Sequence, residues 1–204
     1  MENEVKRRGP GRPQAASRDE VERVAIEMML RDGYDEVTVD AIATAVGIGR
    51  TTFFRYFSSK GAVVWSAFDD TIGWLHDGLE KSHDASDALD AIRASIVAST
   101  RTAIYASNVW LDRFILLDRN PALRSGAYWH WEQWKSVIAD YLIDAVLGGP
   151  GNVISMGIAG ACHGVFLAEL RNWLHQNEHR EDFLAHLDDD LAAVLKLLRP
   201  LLKS

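Results

Sequence analysis

Residues 47–60 read Gly-Ile-Gly-Arg-Thr-Thr-Phe-Phe-Arg-Tyr-Phe-Ser-Ser-Lys, a run in which cations, hydroxyls and aromatics share one short segment. At 3.6 residues per turn, Phe53, Tyr56 and Phe57 fall together and pack inward, leaving Arg50, Thr51, Thr52, Phe54 and Arg55 facing out. These outward types suit recognition rather than bond making. Arginine bridges guanine O6 and N7, threonine meets a thymine methyl or a phosphate, and an aromatic ring lies along a sugar-phosphate wall. Other candidate chemistry is thin. His175, His179, Asp182 and His186 approach a zinc-like spacing, but a helix break expected around residues 176–180 separates them. His163, on an apolar helix face, reads first as a hydrogen-bonded core histidine. There is no Ser-His-Asp set, no phosphate-cradling glycine loop and no CxxC pair. No enzyme activity, metal or cofactor is expected.

The elements that must position this segment are short helices with definite ends. Thr38 is a good N-cap, followed by Val39, and Ile42, Ala43 and Val46 give the next helix one apolar face. Ala43 and Ala45 are small enough for a close helix crossing. Gly47 falls where the chain must turn through a left-handed conformation, which glycine tolerates. Ile48 plugs the corner and Gly49 caps the following helix. Ser58 is expected to cap the helix after that, placing Lys60 near backbone N–H groups that attract phosphate. Upstream, Ser17 and Glu20 have capping-box spacing and open a helix over about 18–31 with Val21, Val24, Ala25, Met28 and Met29 inward. Two short helices about a glycine turn form a helix-turn-helix, which places one helix in the DNA major groove.

Taken together, helix 18–31, Gly33–Val39, Ile42-Ala43, Val46-Gly47-Ile48, Thr52–Phe57 and Lys60 resemble the TetR family of transcriptional regulators. The likeness covers residues 18–65. It is nearest to the branch of mycofactocin-system regulators, through Gly47–Phe57 and Asn120-Pro121-Ala122-Leu123. One departure is Gly49, where the family often has serine or threonine, so a hydroxyl that would reach phosphate is missing. The resemblance implies DNA contacts from Arg50, Thr51, Thr52, Phe54, Arg55, Tyr56 and Lys60, with Thr38 and Val39 at the backbone. It also implies an all-α, nine-helix, two-domain TetR-like fold. Its three-helix head would occupy residues 18–60, and residues 61–204 would form a helical effector-binding and dimerisation domain. A homodimeric repressor released from a palindromic operator by a small molecule is the implied function.

Composition agrees with this division. The 204 residues carry a net charge of −7, yet residues 1–60 hold ten basic and ten acidic side chains, so the acidity belongs to the remainder. Local charge, not the sum, governs DNA binding. No apolar run of membrane-spanning length and no signal peptide is read, and one cysteine, Cys162, fits a reducing cytoplasm. No membrane partner is expected. Residues 1–17 form a basic arm, expected to be flexible, whose Gly11-Arg12-Pro13 resembles an AT-hook core. Either Arg12 reads an A·T minor groove or the arm attracts phosphate without specificity.

Beyond Lys60 the pattern is helical, near 61–80, 85–105, 108–118, 121–147, 151–176 and 181–202. Six of the seven tryptophans lie beyond residue 70. In helix 121–147, Ala127, Trp131, Trp134, Ile138, Tyr141, Leu142 and Ala145 share a face, and Trp110, Phe114 and Leu117 share another. Trp110, Phe114, Leu117, Trp131, Trp134, His163 and Phe166 either wall a cavity for a hydrophobic or planar effector or fill a core. The family resemblance adds acyl thioesters to the effectors implied. Trp129 points away from that stripe. Helix 151–176 offers Gly157, Ala159, Gly160, Ala161, Gly164 and Ala168 beside an apolar face of Val165, Phe166, Leu170, Trp173 and Leu174. Helix 181–202 offers a leucine-rich face, and by resemblance these two helices would build the dimer. The alternative is a DNA-anchored interaction protein that senses no small molecule, with Trp129 and the acidic surface as its handles.

Overall fold

Side-chain caps set most of the helix starts in this computed structural model, which describes residues 16–147, 153–176 and 179–203. The Ser17 hydroxyl accepts from the Glu20 amide and opens α1 (Arg18–Asp32), and Thr38 accepts from Ala41 and opens α2 (Val39–Ala45). Gly47, at φ 70°, makes the turn into α3 (Arg50–Tyr56), which Gly49 caps without a side-chain bond. Phe57 is extended, so the chain advances one residue further than expected. Ser59, not Ser58, therefore caps α4 (Lys60–Glu80).

The expected helices follow with small shifts. They are α5 (Ala88–Ala106), α6 (Asp112–Arg119), α7 (Pro121–Leu142), α8 (Val153–Gln176) and α9 (Arg180–Leu198). Asn120 caps α7 with Pro121 at its first position. A π-helical turn extends α7 over Ile143–Leu147, and a 3-10 turn extends α9 over Arg199–Lys203. Nine α-helices and no strand occur among the described residues, the all-α architecture expected. Residues 1–15 of the basic arm, Arg12 among them, lie outside the described residues.

Helix α4 packs along α5 and α7, and α8 lies between α7 and α9. The head joins the body through α1, whose buried Val21, Ala25, Ile26 and Met29 belong to the same continuous core as Phe68, Trp110 and Phe166. Two readings of the apolar faces need correction. Ala45 is exposed, so Ala43 alone serves the close approach. Phe166 and Leu170 of α8, and Phe183, Leu184, Leu187 and Leu191 of α9, are buried within the chain and are not free for a partner. What α8 leaves open is a smooth stripe, Gly157, Gly160, Gly164 and Ala168, with Met156 and Val153 (83% exposed) at one end.

The expectation of no membrane-length apolar run also needs adjusting. By length and composition α8, with mean hydropathy 1.6, would suffice to cross a membrane. Its buried residues, including Ile158, Ala159, Cys162 and Phe166, belong to the common core, and it also carries the charged Glu169.

Candidate nucleic-acid interface and effector cleft

The outer side of α3 is as its period requires. Phe53 is fully buried and Phe57 nearly so, whereas Arg50, Thr51, Phe54 and Arg55 are exposed and Thr52 is half-buried. Arg50 is held from two sides. Its Nη1 donates to both carboxylate oxygens of Asp40 on α2 at 2.8 and 2.9 Å, and its guanidinium carbon lies 5.2 Å from the centre of the Phe54 ring. Arg55 lies over Tyr56 at 5.4 Å. Tyr56 is half-buried and donates its hydroxyl proton to the Ala16 carbonyl at 3.2 Å, tying α3 to the start of α1. Thr38 is exposed at the N-cap of α2 and Val39 is half-buried beside it.

Lys60 is placed differently from the phosphate position expected. Its ammonium turns inward, donating to the carbonyls of Tyr34 and Val37 at 2.7 and 2.9 Å, and sits 4.2 Å from the Tyr34 ring centre. It thus closes the loop between α1 and α2. Lys60→Ala is expected to lower the stability of the protein by about 1–2 kcal/mol, the scale of charge-assisted hydrogen bonds at a half-buried site. The slope of DNA affinity against salt should stay as in wild type. Urea unfolding and a salt titration measure the two effects, and a slope flatter by about one unit would restore the phosphate contact.

In the body, the seven residues read as an effector site do come together, as a packed cluster. Trp131 lies 4.5 Å from Phe68, 4.7 Å from His163 and 5.8 Å from Phe166 between ring centres, and Trp134 lies 5.7 Å from Phe166. Trp110, Phe114, Leu117, Trp134 and Phe166 are all buried, and Trp110 donates its indole N–H to Thr71. The aromatic stripe is therefore mainly core. A cleft of about 250 Å³ opens beside it, between α4, α6, α7 and α8. Phe114, Leu117 and Trp131 reach this cleft; Trp110, Trp134, His163 and Phe166 do not. Sequence reasoning missed Trp65, Leu167 and Leu174 on its walls and Arg124 and Arg171 among its lining residues. The spacing of Leu167, Leu170 and Leu174 was a usable signal for this wall.

His163 is half-buried, and its Nε2 makes no hydrogen bond among the described residues. Desolvation, assisted by the nearby Lys135 cation, lowers its pKa below the ordinary imidazole value. In the unfolded chain the imidazole binds its proton more readily, so this group's contribution to stability is complete above about pH 6.5 and is lost as pH falls toward the depressed folded value. His163→Phe should flatten the decline of the urea midpoint below about pH 6.5. An unchanged slope would assign that decline to other groups. Cys162, fully buried with its thiol pushed up to about 12 by desolvation, behaves as a small apolar side chain.

Comparison with known proteins decides the family. The model of bacterial regulatory proteins of the tetR family matches residues 23–65, and that of the MftR C-terminal domain matches residues 86–200, more than half of the chain. The chain belongs to the TetR family. It is 28% identical over 164 residues to the putative mycofactocin biosynthesis transcriptional regulator MftR of Mycobacterium tuberculosis, covering 80% of this chain and 83% of the relative. Among solved structures it resembles the fatty acid degradation regulator FadR of Bacillus halodurans, with TM-score 0.63, 16% identity, and 88% and 98% of the two chains covered. It also resembles the Thermus thermophilus repressor FadR in complex with lauroyl-CoA, with TM-score 0.57, 19% identity, and 89% and 93% covered. At these identities the solved structures attest the fold. This TetR-family chain is a DNA-binding transcriptional regulator of the mycofactocin-regulator branch and not an enzyme.

Proposed function

We propose that the protein is a cytoplasmic repressor that binds an inverted-repeat operator as a homodimer and leaves it when a hydrophobic effector binds. The head would comprise residues 18–60 and the effector and dimerisation domain residues 61–204. The observation that carries the reading is the outer face of α3, where Arg50, Thr51, Phe54 and Arg55 stand exposed on a head that matches the family. Thr52 joins that set from the edge of the helix. Arg12 of the arm, Thr38 and Val39 would add flanking contacts.

Two copies would meet across the glycine-rich stripe of α8 and the exposed side of α9 around Ala193, Leu197 and Leu201. A two-fold axis between them demands a symmetric operator. The effector would occupy the cleft beside Trp131, its apolar body against Trp65, Leu117 and Leu167 and its polar end toward Arg124 and Arg171. An acyl thioester has that chemistry, and a related fold has been solved with lauroyl-CoA. Release follows only if the effector binds the non-binding arrangement of heads more tightly than the DNA-bound one. The interaction-protein reading gains from Tyr128 and Trp129, 71% and 64% exposed on α7, but the cleft weighs for a small ligand.

Selection of duplex DNA by the purified protein at a stated salt concentration tests the reading. An enriched inverted repeat, bound by two chains and released by lauroyl-CoA with a change in tryptophan emission, is the expected result. Binding without an enriched motif would defeat the specific-regulator reading. On the selected operator, Arg50→Ala is expected to cost about 1–3 kcal/mol and to relax preference at one base position per half-site. A uniform loss across sequences would demote Arg50 to a phosphate contact.

A further inference from the structure

We infer that Asp40 is a specificity-determining positioning residue: through Arg50 it decides how sharply the protein reads a guanine. This inference rests on the reading of Arg50 as a base contact. A free arginine on an exposed helix start rotates about four side-chain bonds and is drawn to whichever phosphate is nearest. Here both bonds to Asp40 come from a single nitrogen, Nη1, at 2.8 and 2.9 Å. The Nε and Nη2 hydrogens, which lie parallel along the other edge of the guanidinium, remain available. That edge is the fork that matches O6 and N7 of guanine. The Phe54 ring, 5.2 Å from the guanidinium carbon, limits rotation of its plane from a second side. Asp40 lies in the first turn of α2, where the partial positive charge of the helix start favours its carboxylate.

The same carboxylate acts on the competing contact. It offsets the arginine's charge toward phosphates, which are common to every sequence, and leaves the directional bonds to one base in place. The pair is exposed on both sides, so its value to stability is small. Its effect belongs in the ratio of specific to non-specific affinity.

The experiment compares full-length wild type, Asp40→Ala, Asp40→Glu, Arg50→Ala, Arg50→Lys and the Asp40→Ala/Arg50→Ala double variant. Each is measured by operator selection and by affinity for the operator and for an unrelated duplex, with unfolding midpoints recorded alongside. Asp40→Ala is expected to lower the specificity ratio about tenfold, at the same base position that Arg50→Ala relaxes. The double variant should match Arg50→Ala alone. Arg50→Lys, which keeps the charge and loses the fork, should lose the same preference; Asp40→Glu, which keeps the charge but not the distance, should fall between. If Asp40→Ala leaves every base preference unchanged while Arg50→Ala relaxes one, the inference is overturned and the Arg50 reading survives. A gain in operator affinity with sharper preference on Asp40→Ala would also overturn it, showing that the carboxylate masks Arg50. Unchanged preference in Arg50→Ala overturns both.

Discussion

Arg113→Met is expected to lower the unfolding free energy by about 3–5 kcal/mol, because it strands a carboxylate in the core. Arg113, on α6, is fully buried and donates from Nη2 to Glu22 of α1 at 2.5 Å. The Ser66 and Ser107 hydroxyls also donate to the Glu22 carboxylate. Nε and Nη1 of Arg113 find no partner among the described residues. Desolvation pulls the arginine's pKa down and the Glu22 carboxylate opposes this, so the buried guanidinium depends on its partner. Removing one partner leaves an uncompensated buried charge, whereas replacing both removes the cost of desolvation as well. Arg113→Met with Glu22→Leu should therefore recover most of the loss, and urea unfolding of the four proteins measures the cycle. A single-variant cost below about 1 kcal/mol would mean that water reaches the pair.

Trp131→Ala should cost about 3–5 kcal/mol, the range for deleting a large aromatic from a packed core. Its ring lies within 4.5 to 6.5 Å of Phe68, His163, Phe166, Trp134 and Phe114, so no single neighbour can move in to fill the void. Trp131 also forms part of the cleft wall, and lauroyl-CoA binding should fall with stability. Trp131→Phe should recover much of the stability and only part of the binding. Urea midpoints with ligand titration separate the two. Full binding by a destabilised Trp131→Ala protein would remove the cleft from the effector reading.

Much of the head was legible because its signals are local. Ser17, Thr38, Gly47 and Asn120 each mark a helix end through their own side chain or backbone, within four residues of the group they satisfy. The inward and outward sides of α3 follow from period alone. What depends on distant partners was harder. Lys60 lies 26 residues from Tyr34 and 23 from Val37, and nothing near it in sequence announces those carbonyls. The aromatic cluster was found, but whether it encloses space depends on how α4, α6, α7 and α8 meet. That left Arg124 and Arg171 unassigned. The Glu22–Arg113 pair was readable in hindsight: Glu22 shares a helix face with Ala25, Ile26 and Met29, and Arg113 shares one with Phe114 and Leu117, just after the buried Trp110. A charge in the middle of an apolar stripe on each of two helices signals a buried match.

Because α1 shares its hydrophobic interior with α4 and α6, the reading head is not a detachable module. Cut from the body, it would expose Ile26 and Met29 and leave Glu22 without its arginine. Chimeras that join this head to another family member's body inherit a mismatched seam unless Glu22, Ser66, Ser107 and Arg113 travel together. Evolution of operator preference is therefore easiest on the outer side of α3, where side chains can change without disturbing that seam.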